Sequence, residues 1–135
     1  MVLARAECLR LLAGADVGRV GVSIDALPVI LPVHFVVTDE SVVFRSALGT
    51  RHDAATLGAV VVFQADGYDP SGTSGWSVML QGVGAAAAGV PRSPVGSGWA
   101  HPWLSRVGDH RLIQLATDNL RGWRFTTGEG SPASL

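Results

Sequence analysis

Residues 28–51 read PVILPVHFVVTDESVVFRSALGTR. Two runs rich in β-branched and aromatic residues stand in this stretch, one over residues 28–37 and one over residues 42–44, divided by Thr38, Asp39, Glu40 and Ser41. Such side chains fit a pleated, half-buried surface, so the spacing predicts two strands joined as a hairpin. Pro28 and Pro32 lack a backbone donor, which predicts that the first strand lies at a sheet edge or is bulged there, and argues against a regular central strand.

The pattern extends outward in both directions. Upstream, apolar residues recur at Ala4, Cys8, Leu11 and Leu12 with Arg5, Glu7 and Arg10 between them, predicting an amphipathic helix over residues 2–12 that ends at Gly14 and buries Cys8. The alternating run over residues 20–24 predicts a strand, closed by a turn at Asp25-Ala26-Leu27. Downstream, Thr50 is placed to cap a two-turn helix over residues 52–57 that Gly58 stops. Residues 59–63, apolar on both sides, predict a central strand, and the turn residues from Asp66 to Gly75 a long loop. Further strands are expected over residues 76–88, 110–115 and 121–125, with a docking turn or helix within residues 89–108. Many short strands and few helices predict a mainly β fold, an antiparallel barrel of about six strands with a few short helices, whose closure removes exposed edges. One domain over residues 1–127 and a flexible tail over residues 128–135 are expected.

Composition narrows the function. With 47% hydrophobic residues in 135, the chain has the material for a core and is not disordered. A net charge of -1 gives no field to draw the whole protein onto nucleic acid or an anionic membrane, so an anionic ligand must be held locally. All ten basic residues are arginine, whose guanidinium fork grips phosphate oxygens in pairs. Cys8, the single cysteine, allows no internal disulfide, and charges interrupt the first apolar segment well short of a signal core. A cytoplasmic location is expected.

The chemistry-bearing stretch is Phe44-Arg45-Ser46-Ala47-Leu48-Gly49-Thr50-Arg51. A strand end supplies Arg45 and Ser46, Gly49 lets the backbone approach a ligand, and Thr50 opens a helix. Arg45 and Arg51 then offer two guanidinium groups to one phosphate, against the plainer reading of two solvated arginines beside a loop. Val33, His34 and Phe35, in a strand whose ladder proline interrupts, are candidates to flank a ring, and Trp76 with Ser77 offers a stacking surface and a hydrogen bond. No metal-ligand spacing joins His34, His52, His101 and His110, no nucleophile elbow surrounds a serine, and with Glu7 the only glutamate before Glu40, paired carboxylates for acid-base work are hard to assemble locally.

In this order the motifs resemble the bacterial pyridoxamine 5'-phosphate oxidase-like, flavin-binding split-barrel family. The resemblance runs from Leu11-Leu12-Ala13 through Val17-Gly18-Arg19-Val20, residues 31–37, Val43-Phe44-Arg45-Ser46 and Gly49-Thr50-Arg51 to residues 75–82. It implies that Arg45, Ser46, Gly49, Thr50 and Arg51 hold the phosphate of FMN, that Val33, His34 and Phe35 border the flavin ring, and that Trp76 and Ser77 lie near it at a subunit contact. It further implies a homodimer with the cofactor between subunits, acting on a small-molecule substrate as an oxidoreductase. The family often has lysine where Arg51 stands and an asparagine-aromatic pair where His34-Phe35 stands. A deazaflavin-dependent reductase is the alternative enzyme, and a non-catalytic dimer holding flavin or haem, with His34 or His101 as axial ligand, the alternative outside catalysis.

Overall fold

The computed structural model describes residues 1–15, 17–38, 40–47, 50–87 and 110–127. The expected docking turn within residues 89–108 and the expected tail over residues 128–135 lie outside them. Strands β1 (Val17–Ile24) and β2 (Leu27–Val37) form a hairpin through Asp25 and Ala26, in register from Ile24 opposite Leu27 to Val17 opposite His34. Both turn residues have positive φ, 52 and 66, the backbone twist that a two-residue hairpin requires. The residues flanking such a turn exchange hydrogen bonds, as does every second pair after them. Odd-numbered residues of β2 therefore face β1, while Pro28 and Pro32 turn their donor-less side away from it. The ladder to β1 runs without a bulge as a result. On the other side, β2 pairs with β3 (Ser41–Ala47) only over Phe35–Val37, and the two strands part beyond Phe44. Of the two expectations for the prolines, the edge is the one that forms.

The remaining strands are β4 (Val60–Tyr68), β5 (Ser74–Val83), β6 (Ala85–Ala86), β7 (His110–Ala116) and β8 (Leu120–Thr126). Their order in the sheet is β6-β7-β3-β2-β1-β4-β5-β8, with every neighbouring pair antiparallel. Gly84 alone separates β5 from β6, so one run of chain stands near both ends of that order and curls the sheet into a barrel, split where β2 and β3 diverge. A Cβ at Gly84 would lie 2.0 Å from the carbonyl oxygen of Thr56, so only glycine lets the bend pass the end of helix α2 (Arg51–Thr56). The expected antiparallel barrel with few helices is what forms. Its described strands number eight rather than about six, in part because Gly84 divides the run over residues 76–88.

Alternation along the strands fills the interior with Val20, Val22, Phe35, Phe44, Phe63, Val78, Leu80, Ile113 and Leu115. Helix α1 (Arg5–Ala13) adds Cys8 and Leu12 and packs on β8, β2 and β5. Three local expectations need correction. The helix begins at Arg5 rather than residue 2, because Met1 and Leu3 spend their backbone groups on Arg124 and Gly122 of β8. Strand β4 is central, between β1 and β5, but only one face is covered, and Val60 is 74% exposed. The loop expected over residues 66–75 shrinks to residues 69–73, since Asp66 and Gly67 pair with Ser77 and Trp76 in the ladder. There the Asp69 carboxylate accepts from Ser71, Ser74 and Thr73, which hold its pKa well below the usual carboxylate range. No helix of the described residues is long and apolar enough to cross a membrane.

Ala26 adopts a left-handed conformation that costs a residue with a Cβ about 1 kcal/mol. Ala26→Gly is expected to stabilise the fold by about 0.5–1 kcal/mol, less whatever the freer unfolded chain takes back, raising the urea midpoint at constant m-value. A lowered midpoint would show that the turn does not need this geometry.

Candidate functional site

Where β2 and β3 diverge, the gap is a cavity of ≈ 190 Å³, and α2 stands across it. Its polar lining is Arg45 and Ser46 from β3 with Thr50, His52 and Thr56 from the α2 segment, and its apolar wall is Val20, Leu31, Pro32, Val33 and Phe44. Ser46 is 8% exposed and the Arg45 Nε is buried. Burial lowers the pKa of the Arg45 guanidinium from its ordinary value, since leaving water penalises the charged form. A cation so placed gains more from an anion than one in open solvent does, because the surrounding dielectric is lower. The Thr50 hydroxyl caps α2 by accepting from the Asp53 N–H at 3.1 Å, and the Thr56 hydroxyl donates back to the carbonyls of His52 and Asp53. With six residues, α2 is too short for its dipole to hold an anion, so side chains must carry that load.

The structure brings together some of the residues singled out from the sequence. Arg45, Ser46, Thr50 and Val33 line the one cavity. Arg51 does not join them: its guanidinium bonds the Asp25 carboxylate in the β1–β2 turn, with both side chains over 70% exposed. Phe35 is buried in the core, edge-on to Phe63 at a centroid distance of 4.8 Å, and His34 follows Val33 on β2 outside the cavity lining. Trp76 packs over Gly67, and Ser77 accepts from Gln64. Both sit on β5, separated from β2 by β1 and β4. Gly49 lies outside the described residues, as does His101.

A family model described as pyridoxamine 5'-phosphate oxidase matches residues 4–89, a span holding the whole cavity lining. The chain belongs to this family. An uncharacterised protein of Mycobacterium tuberculosis is 31% identical over 135 residues, covering 96% of this chain and 88% of its own. Among solved structures, the FAD binding protein from Mycobacterium smegmatis matches with a TM-score of 0.70 and 28% identity over 93% of this chain and 97% of that one. A FAD-binding protein from Mesorhizobium loti, at 18% identity, covers 92% of this chain and 96% of its own with a TM-score of 0.66, a likeness of fold alone.

This pyridoxamine 5'-phosphate oxidase family member carries a feature that sequence reasoning missed. Asp53, 5% exposed at its side chain, takes the Arg111 Nε on both oxygens, at 3.0 and 3.3 Å. Arg111 is the cross-strand partner of Ser46, so the pair ties α2 to the β3–β7 ladder beside the cavity. Local patterns cannot announce a contact spanning 58 residues. One signal was available: Arg111 shares strand parity with the buried Ile113 and Leu115, and an inward arginine implies a buried anion. Asp53→Asn is expected to cost roughly 1–3 kcal/mol of stability by leaving Arg111 without its counter-charge. A thermal melt indistinguishable from the parent protein's would show that the pair does not hold α2 in place.

Proposed function

We propose that this protein binds a phosphorylated flavin with its phosphate in the cavity between β2 and β3, and that it is a flavin-dependent oxidoreductase acting on a small molecule. The observation that carries this reading is the partly buried Arg45 guanidinium sharing one cavity with Ser46 and Thr50, against an apolar wall. Hydroxyl donors beside a desolvated guanidinium suit phosphate oxygens, and the valine and phenylalanine surfaces suit the carbon chain behind them. FMN is the smallest flavin that supplies such a phosphate, and FAD, which the 28% identical Mycobacterium smegmatis protein binds, would place a pyrophosphate there. A bound flavin supplies hydride or electron transfer by itself, so the chain's residues need only hold it, orient it and shape access to it.

At ≈ 190 Å³ the cavity is smaller than the roughly 300–1,000 Å³ of sites that enclose a whole small ligand. It suits the phosphate end alone, and the ring must rest beyond it. That requirement supports a homodimer in which a second copy covers the ring. The outer face of β2, β4 and β5 exposes Ile30 (70%), Val60 (74%) and Val83 (55%), with Val60 directly opposite Val83. Apolar side chains gathered on one sheet face suit a self-complementary contact. In such an assembly Trp76 and Ser77, remote from their own chain's cavity, reach a ring held by the partner.

Two measurements test these readings. Arg45→Ala should weaken FMN about tenfold to a hundredfold, the worth of a charge-assisted hydrogen bond, while riboflavin affinity changes less than about twofold. Equal losses for both ligands would remove the phosphate from this cavity, and a wild-type protein that shifts the spectrum of neither would remove the flavin. Val60→Arg should convert a sedimenting dimer to monomer and weaken flavin with it. A dimer unaffected by that charge would place the seam elsewhere.

A further inference from the structure

We propose that His52 is the second cation of the anion pocket, so that the affinity for an anionic flavin is linked to a proton. This rests on the flavin reading above and assigns the place that sequence pattern gave to Arg51.

Helical geometry separates the three charged or titratable residues that open α2, because consecutive side chains point about 100° apart. Arg51 points out to Asp25. Asp53 points under the helix to Arg111. Between them, His52 faces the split, and Thr56, one turn later on the same face, lines the same cavity. Of the first three residues of the helix, only His52 therefore meets a ligand lying against Arg45.

The charges packed around it favour this role. From β3 comes Arg45, which among the described residues is the one permanent positive charge in the cavity lining. From α2 itself comes Asp53, whose carboxylate is compensated by Arg111 of β7. From the β1–β2 turn comes Asp25, compensated by Arg51. Thus, among the described residues, each carboxylate near His52 has a guanidinium of its own. A phosphate entering beside Arg45 supplies the negative charge that favours the protonated form of a histidine, the side chain that exchanges its charge around neutral pH. Binding takes up a proton, so it tightens as the pH falls through this range.

The test uses FAD, whose pyrophosphate does not titrate between pH 5.5 and 8, with riboflavin as the uncharged control. FMN is measured in parallel, and because its monoester loses a proton near pH 6, its change is read as the difference between wild type and variant. For the wild-type protein, the FAD dissociation constant should rise about fivefold to tenfold from pH 5.5 to pH 8 while riboflavin stays flat. In His52→Gln the rise should vanish, leaving affinity at the weaker, high-pH level. Calorimetry of the wild-type protein in buffers of different ionisation enthalpy should show uptake of a fraction of a proton near pH 7, a reading that needs no variant to fold. A pH dependence that survives in His52→Gln, or no proton uptake, overturns the proposal and leaves the flavin reading standing. Failure of FAD and FMN to bind at any pH overturns both.

Discussion

A proline has no hydrogen to give, and the architecture follows from where two of them fall. Pro28 and Pro32 stand four residues apart, so both turn the same side of β2 away from β1. A full ladder with β3 would need donors on that side, and β3 instead meets β2 over Phe35–Val37 and then departs. The barrel is thus closed by side chains and a helix where it would otherwise be closed by backbone. That opening is the cavity, and Pro32 is part of its wall.

Three of the five polar residues that line the cavity come from the segment that bridges the opening. Strand β3 ends at Ala47, and Thr50 caps α2, which lies between β1 and β3. Beyond its own Thr50 cap, three contacts with distant chain hold that short helix: the Arg51–Asp25 pair, the Asp53–Arg111 pair and the close pass of Gly84 beneath Thr56. A six-residue helix is unstable alone, so its orientation is a tertiary property. The residues it offers to a ligand are set by those anchors rather than by local sequence. The same Gly84 that admits the helix end also bends β5 into β6 and brings the sheet round, so barrel closure and site construction share one residue.

Elements governed by local rules were legible in the sequence. Alternation announced β1, the β-branched runs announced β2 and β3, Thr50 announced its cap, and the apolar side of α1 announced the burial of Cys8. The prolines announced an edge. Side-chain direction across the opening was not legible. Arg45 and Arg51 flank one bend in the chain, which suggested a shared target, yet Arg51 starts a helix and meets Asp25, a residue 26 positions away. Phe35 followed His34 in a motif read as lining a ring, but strand parity sends it into the core against Phe63. The Asp66–Gly75 stretch looked like a loop because its composition is turn-like, while cross-strand pairing extended both strands well into it. For Arg51 and Phe35 a partner more than 25 positions away decided what a local pattern left open.

The central claim is that the gap between β2 and β3 is the seat of a flavin phosphate. The most direct measurement is a crystal structure of the protein grown with FMN. The account predicts phosphate density in contact with Arg45 and Ser46, between Pro32 and α2, with the ring lying outside the cavity against a second copy of the chain. Phosphate density in open solvent or on another face of the barrel, with the gap between β2 and β3 filled by protein side chains, would contradict it.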